Sequence, residues 1–271
     1  MTLDLRKNMT YSPLLSVRNV KKTFHNNEHI IKAVSDVSID VLENRPLGLV
    51  GESGSGKSTL ARLILLLEKA DEGEIFFQGV DLLKLSRKEM MDVRMELQVI
   101  FQDPYGSLNP RMTAQEVIME PLEIFMKKLS FTEKRQQVLH LMELVGLDPN
   151  MAHRLPHEFS GGQRQRIAIA RALALHPRLI ICDEPIAALD VSIQSQIINL
   201  LKHLKAELGL NYLFISHDLA MVKYLCDDLA VMHYGKIVEQ GDSELIYENP
   251  QHPYTKTLLQ SHPHLINPQP I

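Results

Sequence analysis

The scarcities of this 271-residue chain narrow its class before any motif is read. It holds two cysteines, Cys182 and Cys226, which suit a reducing compartment better than a disulfide scaffold. No stretch supplies the ~20 apolar residues that a membrane span needs. The opening MTLDLRKNMTYSP lacks the apolar core of a secretory signal, so the expectation is a soluble chain that reaches a membrane only through a partner. Neither sign of charge is in large excess: the net charge is −4 and the isoelectric point about 6.3, which argues against a broad nucleic-acid surface. Internal repeats, low-complexity tracts and Gly/Ser linkers are missing as well. The one compositional shift is a Pro- and His-rich tail from Asn249, expected to be irregular. The length allows one large domain or two smaller ones, each with its own core.

Against that background, GESGSGKST (Gly51, Glu52, Ser53, Gly54, Ser55, Gly56, Lys57, Ser58, Thr59) carries the strongest chemistry. The apolar residues Leu47, Leu49 and Val50 before it suit a buried strand. Three glycines then permit a tight backbone that a side chain would obstruct, so successive N–H groups can face one anion. Lys57 is placed for the outer phosphates, Ser58 for Mg²⁺, and a helix beginning near Lys57 adds its positive end. Leu60, Leu63, Ile64 and Leu67 fall at i, i+3, i+4 and i+7, the stripe of a helix packed on a sheet. A Gly-rich loop can be a plain turn, but Lys and Ser/Thr in register between strand and helix favour a nucleoside triphosphate.

Further along, Val37, Ile39 and Val41 alternate with polar residues, and GEIFFQG (73–79) reads as a strand between turns, together an antiparallel β layer. From Thr113 to about Val145 helix formers and charges dominate, with Pro121 and the Leu129–Phe131 neighbourhood as expected breaks. Helix 163–175, strand 179–182, helix 192–207, strand 212–215 and a hairpin over 229–239 turning at Gly235 and Lys236 complete a layered α/β core.

Two more constellations belong with the loop. LIICDEP (179–185) ends an apolar strand in paired carboxylates: Asp183 can join the Mg²⁺ shell, and Glu184 can orient or deprotonate an attacking water. A strand end followed by a polar turn is the plain alternative. In FSGGQRQRIAIARALA (159–174), Ser160 is a good N-cap, Gly161 and Gly162 leave amides open, and the helix near Gln163 presents a second anion-binding end.

The phosphate loop, SGGQ and DEP together resemble the nucleotide-binding subunit of ATP-binding cassette transporters, over nearly the whole chain. The resemblance implies an α/β fold, a P-loop NTPase core with an antiparallel β subdomain and a helical insertion subdomain. The cassette would cover residues 14–248, with about 103–160 inserted and 249–271 as a short tail. It implies ATP and Mg²⁺ as cofactors, and the SGGQ element of one subunit closing over ATP held by the loop of another. Residue by residue, Gln102 matches a glutamine that touches Mg²⁺ and opens the insertion toward the transmembrane partner. Asp190 matches a carboxylate joining the two subunits, or simply caps the helix that follows. His217 matches a histidine at the γ-phosphate, Phe24 the aromatic stacked on adenine; core packing or the neighbouring His25 are alternatives to the latter. ENRPLGLVG has Asn44 and Arg45 where the family has Gly-Glu, which puts the local turn in question.

QDPYGSLNPRMT (102–113) and NPQHPYTKTLL (249–259) resemble the peptide and nickel import group. That implies a peripheral ATPase on the cytoplasmic face of the membrane, paired with a second cassette (a heterodimer, or else a homodimer) and two permeases. An extracytoplasmic binding protein would be an indirect partner. Members with a longer C-terminal extension carry a cysteine cluster; with none here, no iron–sulfur centre is expected. His252, His262 and His264 could suggest a metal site, against a solvated tail broken by Pro253 and Pro263. Two rivals share some motifs. A soluble cassette acting on DNA or ribosomes usually shows a coiled-coil insertion or two cassettes in one chain, and a small-molecule kinase has no role for SGGQ.

Overall fold

The computed structural model describes residues 13–26 and 29–261. Among these residues ten strands form two sheets, and the apolar side chains along the strands explain how the sheets stack. The chain opens with a long antiparallel pair, β1 (Pro13–Asn26) and β2 (His29–Leu42). It enters the core at β3 (Leu47–Val50), then runs through helix α1 (Lys57–Ile64) back to β4 (Glu72–Phe77) and β5 (Val80–Asp81). The first sheet has the order β2-β1-β4-β5 and is antiparallel throughout.

Helix α2 (Arg87–Glu96) leads into β6 (Leu97–Ile100). There follows an all-helical block: α3 (Pro104–Ser107), α4 (Ala114–Phe125), α5 (Phe131–Leu144) and α6 (Gly161–Leu173). Strands β7 (Leu179–Asp183) and β8 (Asn211–Ser216) flank α7 (Val191–Leu208). After α8 (Leu219–Leu225), strands β9 (Asp228–His233) and β10 (Lys236–Asp242) form a hairpin, and α9 (Ser243–Glu248) and α10 (Pro253–Gln260) close the described chain. The second sheet runs β10-β9-β3-β8-β7-β6, all parallel but for the edge strand β10.

Both faces of that sheet are covered, so its strands are continuously apolar rather than alternating. Leu179, Ile181, Leu213, Ile215, Ala230 and Met232 join α1 and the antiparallel sheet in one core cluster. Their neighbours Ile180, Cys182, Tyr212, Phe214, Leu229 and Val231 point the other way, into a second cluster with α4 to α7. Each side chain flips the face of the last, and two cores result.

The helical block is set by capping. Thr113, Ser130 and Ser160 each accept the backbone N–H three residues on, and Glu116, Glu133 and Gln163 reach back to the cap's own N–H. Several sequence expectations are corrected here. Pro121 does not break its helix; it sits inside α4, which runs on to Phe125 because Val117, Ile118, Met119 and Leu122 are buried along it. Tertiary packing outweighs the missing N–H. Leu67 is outside the α1 stripe: the helix stops at Ile64, Leu66 takes φ +52°, and Leu67 is 56% exposed. The described part of the tail is not wholly irregular: Pro253–Gln260 forms α10, with Pro253 at its first turn, a position that needs no N–H donor. The hairpin turns at Tyr234 and Gly235 rather than Gly235 and Lys236; both have positive φ, as a two-residue hairpin with right-handed strand twist requires. Finally, the Asn44-Arg45 departure makes a sound turn. Asn44 adopts φ +61°, which asparagine tolerates, and Arg45 makes a bidentate pair with Asp228 of β9 at 2.6 and 2.9 Å.

Candidate active site

The C-terminal ends of β3, β8, β7 and β6 lie side by side, the edge at which open α/β sheets keep their ligand crevices. Val50 pairs with Ser216 and Asp183 with Ile215, so the segments after those residues leave the sheet together. They carry the Gly51–Thr59 loop, His217 and the Asp183–Glu184 pair. Gln102 follows β6 at the edge.

In the loop, Gly51 and Gly56 pass against backbone: a Cβ would fall 2.1 Å from the Met232 carbonyl oxygen at the first and 2.2 Å from that of Ala33 at the second. Gly54 differs from the expectation of crowding. Nothing lies within 4 Å of its Cβ position, and what it supplies is φ +80°. Lys57 is buried, and its ammonium donates to the carbonyl oxygens of Gly51 and Glu52, both at 2.8 Å. Burial pushes its pKa down, against the nearby Glu184, Asp183 and Glu52 charges, which pull it up.

The two adjacent carboxylates are separated by a backbone turn. Asp183 is the last residue of β7, buried, and accepts the Ser58 hydroxyl at 2.9 Å. Burial drives its pKa up, partly opposed by that bond. Glu184 leaves the strand at φ +47°, its N–H held by the Ile215 carbonyl at 3.0 Å. Its Oε2 accepts the Gln102 amide at 3.2 Å and lies 3.4 Å from His217 Nδ1. A positive φ at a non-glycine residue costs free energy, and Glu184 holds it while its carboxylate meets Gln102 and His217.

Phe24 is more than a third exposed, with the Lys22 ammonium 5.1 Å from its ring centre. It lines the cavity over the loop together with Ser53, Lys57, Ser58, Thr59 and Glu184, so the core-packing alternative for it falls. No residue of 160–163, nor Asp190, lines that cavity. Asp190 stands at the N-cap position of α7 with no side-chain capping bond, so the capping alternative does not account for its carboxylate. Gly161 begins α6, two residues earlier than expected, and Gly162 has a second reason to be small: a Cβ there would lie 2.6 Å from Ile193 Cγ2 of α7. His252 caps α10 by accepting the Tyr254 N–H on Nδ1 at 3.2 Å; His262 and His264 lie outside the described residues.

The chain matches the ABC transporter family over residues 34–187, more than half its length. This chain belongs to that family. Residues 238–270 also match the C-terminal region of oligopeptide/dipeptide transporters. Among curated proteins it is 52% identical over 251 residues to the oligopeptide transport ATP-binding protein OppF of Bacillus subtilis (strain 168), covering 92% of this chain and 82% of that one. It is 49% identical over 261 residues to the dipeptide transport ATP-binding protein DppF of Lactococcus lactis subsp. cremoris (strain MG1363), covering 95% of this chain and 83% of the other. Among solved structures it resembles the ATP-binding cassette MJ0796, described as a post-hydrolysis dimer bound to ADP and Pi. The TM-score is 0.77 at 32% identity, over 84% of this chain and 98% of that one.

Sequence reasoning missed three parts of this cassette's site. Ile31 and Lys32 of β2 and Tyr234 of the β9–β10 turn line the loop cavity. Gly235 N–H donates to the Ser55 carbonyl at 2.9 Å, so the hairpin turn supports the Gly51–Thr59 loop directly. Of these the sequence offers only a turn at Gly235, because the contact spans most of the chain.

Proposed function

We propose that this chain is the ATP-hydrolysing subunit of a peptide importer, working as one of two cassettes on a pair of permeases at the cytoplasmic face of the membrane. The observation that carries the ATPase reading is the sharing of one Glu184 oxygen by Gln102 and His217 beside the Gly51–Thr59 loop. The match of residues 238–270 and the names of the relatives support peptide as cargo.

In this reading the Gly51–Thr59 amides and Lys57 hold the phosphates of ATP. Glu184 orients the water and takes its proton as the oxygen attacks the γ-phosphorus; the bond to the β-phosphate oxygen breaks, giving ADP and phosphate. His217 steadies the carboxylate and faces the γ-phosphate. A Mg²⁺ ion fits the residues present: the Ser58 hydroxyl and one Asp183 carboxylate oxygen are hard donors 2.9 Å apart, with Gln102 alongside, a sparse set suited to a cation that keeps waters and phosphate oxygens. When bound, that ion would neutralise charge on the phosphates. Phe24 would stack on the adenine. Ser160, Gly161, Gly162, Gln163 and Asp190, away from the cavity of their own chain, would serve the partner cassette, with two ATP molecules between the pair.

Among the described residues no helix is long and apolar enough to cross a membrane. An apolar groove between α2, β6 and α4, with exposed Leu67, Met91 and Ile124 on its walls, supports contact with a permease. The test is reconstitution with candidate permeases and binding protein in vesicles: ATP-dependent uptake of peptides is expected. Lys57→Ala should weaken ATP binding by more than about tenfold, a charge-assisted contact being lost. Unchanged affinity in that variant would sink the reading.

A further inference from the structure

The peptide unit joining Gly51 to Glu52 is held at both of its polar ends. Its carbonyl, on Gly51, accepts from the Lys57 ammonium at 2.8 Å; its N–H, on Glu52, donates to the Tyr254 hydroxyl at 3.0 Å. A peptide that follows a glycine has little steric resistance to rotation, so the group holding its N–H also decides where its carbonyl points. Tyr254 comes from the other end of the chain, 202 residues away.

Its own placement is over-determined. The Glu239 carboxylate of β10 accepts the backbone N–H groups of Gln251 and His252 at 2.7 and 3.0 Å, fixing the start of α10. His252 Nδ1 takes the Tyr254 N–H. The Tyr254 ring stacks on His233, centroids 3.6 Å apart at 24°, and His233 ends β9 just before the turn whose Gly235 holds Ser55. The ring and hydroxyl therefore reach the loop from a braced platform.

We propose that Tyr254 is a positioning residue for Lys57: by fixing the Gly51–Glu52 peptide it sets the carbonyl that steers the lysine ammonium toward an ATP phosphate. The C-terminal segment thereby becomes a working part of the nucleotide site. This rests on the reading of Gly51–Thr59 as the ATP site.

The test is Tyr254→Phe in the full chain, which keeps the ring on His233 and removes one hydroxyl. Equilibrium ATP binding, measured into the millimolar range, should weaken roughly three- to tenfold, the range of one hydrogen bond, with Tm unchanged. Because the hydroxyl acts through the lysine, the same substitution should have no effect on ATP affinity in a Lys57→Ala background. Equal weakening in both backgrounds would overturn the proposal. So would wild-type affinity in Tyr254→Phe, with or without a lowered Tm. Lys57→Ala alone separates the failures: if it weakens ATP binding while Tyr254→Phe does not, only the role of Tyr254 falls; if it binds ATP like wild type, the ATP-site reading falls with it.

Discussion

His217 Nδ1 lies 3.4 Å from the Glu184 oxygen that also accepts the Gln102 amide, although the three residues follow three different strands. The carboxylate is only 16% exposed in its side chain, and the imidazole 62%. The arrangement gives one oxygen of Glu184 to both neighbours, and in the proposed reading the other oxygen takes the water.

Glu184→Gln keeps the shape and the hydrogen-bonding capacity toward His217 and removes the base. Turnover should fall by about 10²–10⁴-fold, the usual worth of a positioned general base. ATP affinity should stay near wild type, and the closed cassette dimer should accumulate on size exclusion with ATP. Hydrolysis above about a tenth of the wild-type rate would remove Glu184 from this role.

The groove beside α4 makes a different demand. Ile124 is 47% exposed on the wall that Leu67 and Met91 share, and it does not line the cavity over the Gly51–Thr59 loop. Ile124→Asp should place a charge in an apolar contact with a permease and cut peptide uptake in vesicles several-fold. Basal ATP hydrolysis by the chain should change little. Equal losses of uptake and hydrolysis would argue that the groove is not partner-facing.

Gly162 tests how far the SGGQ element is explained by packing alone. A methyl at this position meets Ile193 Cγ2 at 2.6 Å, so the Ile193 side chain or the helices α6 and α7 must shift. Gly162→Ala should cost about 1–3 kcal/mol of stability, the range of overpacked sites, read as a lowered denaturation midpoint. Ile193→Ala in the same chain should recover part of it. If ATPase activity of the dimer stays low once stability is recovered, the glycine serves the nucleotide as well.

Most of the site was legible because its chemistry is local. Gly51 to Thr59 is one turn and one helix start, and Asp183-Glu184 is one strand end; each is defined by neighbours in sequence. What the sequence could not show is how distant segments brace them. Glu184 uses a positive φ that no residue type there announces. Gly235 and Tyr254 reach Ser55 and Glu52 across most of the chain, so no periodicity reports them. The misread elements share a cause too. In the sequence, proline reads as a breaker at Pro121 and Pro253, yet buried neighbours carry one through a helix interior and the other opens a helix.

Asp183 shows a conflict between fold and function that pH should expose. It is buried at the end of β7, and desolvation raises its folded-state pKa above the unfolded value more than the Ser58 bond lowers it. Between those two values the folded chain keeps a proton that the unfolded chain has lost, so stability falls as pH rises through the window. Above the folded pKa the full cost of the buried charge persists. Asp183→Asn removes that cost while keeping an oxygen for Ser58. At neutral pH without nucleotide the variant should therefore have a higher Tm than wild type, and the difference should shrink as pH falls below the folded pKa. The same change removes the one charged donor in the proposed Mg²⁺ set, so Mg²⁺-dependent ATP binding should weaken by more than about tenfold. A lower Tm at neutral pH would mean that the carboxylate's partners, Ser58, Arg62 and Lys57, more than repay its burial. The site would then be built for the fold first and for the cation second.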